Sequence, residues 1–91
     1  MAQELILIRI TGEDRPGLTA SIMSILAQYD ADIMDIGQAD IHKTLSLGLL
    51  IRVDEQNSGP LMKNVLFMTA ELGVNVRFFP VTDDDYNAWV G

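Results

Sequence analysis

One stretch, Thr11-Gly12-Glu13-Asp14-Arg15-Pro16-Gly17-Leu18, constrains this chain most. It follows directly on the apolar run Leu5-Ile6-Leu7-Ile8 and leads into a helical spacing of apolar residues. A buried strand has to hand over to a helix here within a few residues. Pro16 presets φ and lacks an N–H, which suits a first helical position. Gly17 has no Cβ, so another group can approach its backbone closely. Asp14 is placed to cap the first turn, whose free N–H groups and positive dipole end suit a small anion. An anion cradle beside carboxylates matches the two charged ends of a free amino acid.

From Leu18 onward, Ile22, Ile25, Leu26 and Tyr29 fall on one helical stripe that faces a core. Asp30-Ala31-Asp32 breaks that pattern, and Ile33 to Ile41 reads as a second strand. His42-Lys43-Thr44 is the expected hairpin connection. Leu45, Leu47, Leu49, Ile51 and Val53 then alternate with Ser46, Gly48, Leu50 and Arg52, the period of a strand with one apolar face. Asp54 to Pro60 reads as a surface turn with a cap and a proline helix start. Leu61, Val65, Met68 and Leu72 repeat the helical spacing, Gly73 is placed to end that helix, and Val74 to Val81 is the last strand. Pro80 marks that strand as an edge or a terminus. The order predicts an α+β fold, a ferredoxin-like βαββαβ sandwich in which one four-stranded antiparallel sheet carries two helices on one face. Its other face, with Leu5, Leu7 and Leu50, or an exposed edge is where such a domain would pair with a copy of itself.

Ninety-one residues and a hydrophobic fraction of 48% fit a single core and rule out disorder. Six basic side chains stand against 13 acidic ones, and the net charge of −7 repels phosphate backbones and anionic membrane surfaces. Nucleic-acid and membrane binding are therefore excluded as expectations. Cysteine is absent, so disulfides and thiolate metal sites are excluded too. Met1-Ala2-Gln3-Glu4 carries no positive n-region, no uncharged run reaches the length of a bilayer-spanning helix, and the cytoplasm is the expected location. Asp83-Asp84-Asp85 reads as a solvated linker, although Tyr86, Trp89 and Val90 have the spacing of a short amphipathic helix. The chain thus divides into a domain over residues 1–82 and an acidic linker, 83–91, leading to a further C-terminal region.

Catalytic machinery is hard to assemble from this sequence. His42 is the only histidine and lies on a hairpin, while Ser21, Ser24, Ser46 and Ser58 occupy helix, strand or cap positions instead of a nucleophile elbow. No phosphate loop of Walker type and no transition-metal spacing occurs. Asp32, Asp35 and Asp40 lack the pattern of a calcium loop. Glu13, Asp14 and Asp32 are better read as binding groups: an ammonium wants carboxylates, and the turn from Arg15 to Leu18 offers N–H donors to a carboxylate. Asp32, which opens the second strand, is expected near the same end of the sheet or across a dimer interface. The plain alternative is that Asp14 only caps a helix and Asp32 only makes a turn.

The βαββαβ order together with Gly12-Glu13-Asp14-Arg15-Pro16-Gly17-Leu18-Thr19 resembles the ACT domain family, small regulatory modules that bind amino acids. Asp30 to Gln38, followed by Thr44-Leu45-Ser46-Leu47, resembles the N-terminal regulatory region of bacterial phosphoserine phosphatases, and the likeness covers roughly residues 4–82. The resemblance implies a homodimer holding an amino acid, L-serine in the first instance, at its interface. Carried onto this chain, the implied ligand-binding residues are Asp14, Arg15, Pro16, Gly17 and Leu18 of the turn and Asp32 and Ile33 of the second strand. It implies no catalytic residue, metal or cofactor within this segment; a Mg²⁺ ion belongs to the separate hydrolase domain of those phosphatases. A subunit-interaction domain with no small ligand is the competing reading. A small enzyme of acylphosphatase type, resting on Arg15 alone, is a weaker third.

Overall fold

The computed structural model describes residues 2–90. Its elements run β1 (Gln3–Glu13), α1 (Leu18–Gln28), β2 (Asp32–Ile41), β3 (Thr44–Asp54), α2 (Glu55–Leu72), β4 (Asn75–Val81) and α3 (Asp83–Val90). The strands form one sheet in the order β2-β3-β1-β4, every neighbouring pair antiparallel. This is the ferredoxin-like arrangement the spacing predicts. β1 is interior, as its nearly unbroken apolar run requires, and β4 with Pro80 is an edge.

Strand alternation decides which face is covered. Ile6, Ile8 and Ile10 of β1 and Leu45, Leu47, Leu49, Ile51 and Val53 of β3 point to one side and are buried. Leu18, Ile22 and Leu26 of α1 and Leu61 and Val65 of α2 close over them to form the core. Polar contacts tie the two helices together at Tyr29: Asn57 Nδ2 donates to its carbonyl oxygen at 3.3 Å, and the Asn64 amide donates to its hydroxyl. Thr69, only 2% exposed, satisfies its hydroxyl by donating to the Val65 carbonyl at 2.9 Å.

Three local expectations are corrected. Asp14 does not cap α1 and Pro16 is not its first helical residue. The N-cap is Gly17, held in the left-handed region at φ 83°, and no side chain caps the helix. The second helix begins at Glu55, ahead of Pro60, which lies inside it. The Glu55 N–H donates to the Ala2 carbonyl at 3.1 Å and Ser58 Oγ donates to the Glu55 carbonyl at 2.9 Å, so the first turn is anchored before the proline is reached. Pro60 forgoes one N–H near the start of a long helix, which the remaining turns tolerate. Finally, the acidic segment is helical: the Asp85 N–H donates to Thr82 Oγ1 at 3.0 Å and the Tyr86 N–H to the Thr82 carbonyl at 3.0 Å, so Thr82 caps α3. Asp83, Asp84 and Asp85 occupy the first turn, where their charges oppose the helix dipole favourably.

α3 attends the sheet face opposite α1 and α2. Leu5 and Leu50 lie on that face by register and are each 5% exposed. Trp89 joins Leu7, Gly48 and Leu50 around a hollow of about 200 Å³. The face named as a place to pair with a second copy is therefore covered over its lower half, around Leu5 and Leu50.

Candidate functional site: the turn after the first strand

The turn between β1 and α1 is held by its own chain at several points. The Asp14 N–H donates to the Lys43 carbonyl at 2.8 Å, fastening the turn to the β2–β3 hairpin, and the Leu18 N–H donates to the Arg15 carbonyl at 3.2 Å. One of the amides expected to face a ligand, that of Leu18, is thus already engaged. Ser21 N–H closes the first helical bond onto the Gly17 carbonyl at 2.9 Å. The N–H groups of Thr19 and Ala20, in the first turn of an uncapped helix, have no intrahelical acceptor, and they are the donors this turn offers. Sequence reading missed them by stopping at Leu18.

Each candidate residue can now be placed. Asp14, Pro16 and Gly17 are exposed on the turn, whereas Leu18 is 1% exposed and belongs to the core. Arg15 approaches Glu13 at 3.6 Å across open surface. Its guanidinium also lies beside Gly73, where α2 ends and its carbonyl dipoles point outward. Arg15 thus lies between the start of α1 and the end of α2. Gly17 is needed for its positive φ, since a Cβ there would meet nothing within 4 Å. The close backbone approach is at Gly12 instead: a Cβ there would stand 3.0 Å from Val74 Cγ1. An isolated glycine in a strand pattern is the signal that could have found it.

Asp32 and Ile33 are not brought to this turn. Asp32 pairs with Arg52, which pairs on its other side with Leu5 near the start of β1, while Glu13 pairs with Thr44 at the far end. Eight residues of strand separate those levels, roughly 26 Å at the rise of an extended chain. The expectation that Asp32 lies near the same end of the sheet is therefore wrong within one chain. The cause is topological: β1 runs up the sheet, α1 returns the chain to the bottom, and β2, parallel to β1, must start there. Of the two placements expected for Asp32, only the one across an interface is compatible with a shared site.

β2 is the edge that could supply such an interface. Among its ten residues only Met34 is even half-buried, and Ile33, Ile36 and Ile41 are 42%, 48% and 70% exposed. A register shift between Ile33 and Asp35 bulges the strand near its start. Among the described residues, no group of three or more His, Asp or Glu side chains is placed to hold a metal ion. Among the described residues no helix is long and apolar enough to cross a membrane.

Comparison with known proteins fits this architecture. The chain is 34% identical over 71 residues to a UPF0237 protein of Methanopyrus kandleri, covering 76% of this chain and 79% of that one. Over 50 residues it is 36% identical to the phosphoserine phosphatase SerB2 of Mycobacterium tuberculosis, a match to 55% of this chain and 12% of the phosphatase. The fold superposes with a TM-score of 0.84 at 18% identity on a crystal structure provisionally described as a glycine cleavage system transcriptional repressor, covering 90% of this chain and 48% of that one. The profile described as ACT domain matches residues 4–79. With the β2-β3-β1-β4 sheet, its two covering helices and that match over most of its length, the chain belongs to the ACT domain family.

Proposed function

We propose that this ACT domain is a regulatory module that dimerises and binds a free amino acid, L-serine first among the candidates. The observation that carries the reading is the exposed β2 edge with Asp32 at its start. If β2 pairs with β2 of a second copy in antiparallel sense, in a register centred between Ile36 and Gly37, Asp32 of that copy comes level with Ile41, at the end of the sheet where the Glu13–Leu18 turn lies. The Thr19 and Ala20 amides would take the ligand's carboxylate, and Asp14 with the second copy's Asp32 its ammonium. Serine is favoured because dephosphorylating phosphoserine, the substrate named for one relative, releases it. A product-binding domain suits feedback on the pathway that makes the product.

Thermal scanning tests this directly. A ligand present at 100 times its Kd adds ~2.7 kcal/mol of stability, which in a domain this small raises the Tm by about 10 °C or more. L-serine is expected to do so and D-serine to do much less. No shift with any of the twenty amino acids, on protein confirmed as a dimer, would leave the competing reading: a domain that only joins subunits. That second reading draws on the Asp14 and Leu18 amides being already bonded to Lys43 and Arg15.

A further inference from the structure

We propose a second, separate site on the upper half of the α3-bearing sheet face, built from Arg9, Arg77, Thr11 and Phe79 and suited to a phosphate monoester. It depends neither on serine binding nor on self-association. Arg9 of β1 and Arg77 of β4 stand directly opposite each other in register, and the next pair toward the turn on the same face is Thr11 with Asn75. Directly opposed residues of an antiparallel pair hold their Cβ atoms within about 4.5–5.5 Å, where like charges repel. Both arginines are exposed. Among the described residues the one ion pair is Arg15 with Glu13, so neither Arg9 nor Arg77 has a carboxylate partner. In a chain with 13 acids and six bases, two bases sharing one spot with no acid against them is a specific placement.

The spot is also concave. Arg9, Thr11, Arg77 and Phe79 line a hollow of about 260 Å³, several times the ~30 Å³ that a water molecule occupies in the liquid. α3 does not fill it; its Trp89 sits lower, with Leu7 and Leu50. Two guanidinium forks offer more donors than one carboxylate's two oxygens can accept, whereas a phosphate's three terminal oxygens can take both forks and a threonine hydroxyl. Its double negative charge cancels the repulsion between the two cations. Phe79, 41% exposed at the rim, offers an apolar surface for the organic part of the ester. A long polyanion is disfavoured by the net charge of −7, so the occupant is small.

Inorganic phosphate is the probe. Titrated into ¹⁵N-labelled protein at fixed ionic strength, it is expected to shift the Arg9, Thr11, Arg77 and Phe79 amides along one saturating curve. Arg9→Gln and Arg77→Gln, both surface changes, should each weaken that curve about tenfold, as the loss of one charge-assisted contact implies. Without phosphate, Arg77→Gln should melt no lower than the parent chain, because a repulsion has been removed. Chloride reproducing the shifts, shifts confined to the start of α1, or variants that titrate like the parent would each overturn the proposal. The second of those outcomes would leave the turn as the only anion site.

Discussion

Gly12 and Gly17 bracket the turn and serve it in different ways. At Gly12, φ is 151° and the space a Cβ would take is filled by Val74, 3.0 Å away. Alanine there suffers both strain and overlap, and we expect Gly12→Ala to cost ~2–4 kcal/mol and to lower the Tm by more than about 8 °C. At Gly17 only the left-handed φ is demanding, because the space around it is empty. Gly17→Ala should cost about 1 kcal/mol and still fold. Thermal melts of the two variants check the order; equal losses would mean that packing against Val74 contributes nothing. The sequence marked Gly17 for its missing Cβ, and the structure adds a left-handed φ that the spacing does not show. A glycine's φ is set by the path of the chain around it, which spacing does not reveal.

Among the elements, those with long, regular patterns were legible. The alternation from Leu45 to Val53 and the stripe Leu18-Ile22-Leu26 became β3 and α1 with the predicted faces buried. The starts of helices were not, because proline and aspartate each have several uses near a helix end. Pro60 looked like a first helical residue and proved internal. The three aspartates looked like a solvated linker, although Thr82 followed three residues later by Asp85 is a capping signal in plain view. α3 is short, so its helicity depends on that cap and on its seat beside Leu7 and Leu50. Thr82→Ala should cost ~1 kcal/mol of local helix stability. Trp89 is the only tryptophan, so the near-UV circular dichroism band it contributes reports on this helix alone among the indoles. That band is expected to weaken in the variant while the melt of the core barely moves. An unchanged band would show that α3 holds its place without the cap.

At the scale of the whole molecule, the parts of the proposed amino-acid site were readable but their distance was not. Glu13–Leu18 and Asp32 are close in sequence, yet the return of the chain along α1 carries Asp32 to the opposite end of the sheet. Only a second copy can put an aspartate from that position beside the turn, so the proposed site makes ligand binding and self-association one equilibrium. The consequence is a dependence on protein concentration that an intrachain site would not show. At a tenth of the dimer dissociation constant most chains are monomers, and the apparent affinity for serine should fall by roughly fivefold or more. Ile36→Lys, which sets a charge on the exposed β2 edge where Ile36 is 48% exposed, should shift the dimer to monomer and remove serine binding while leaving the chain folded, its Tm falling only by the share that association contributes. Calorimetric titrations of the parent chain across a dilution series, with light scattering on the same samples, give both quantities together. Serine affinity that stays constant while the dimer dissociates would place the whole ligand site within one chain and remove Asp32 from it.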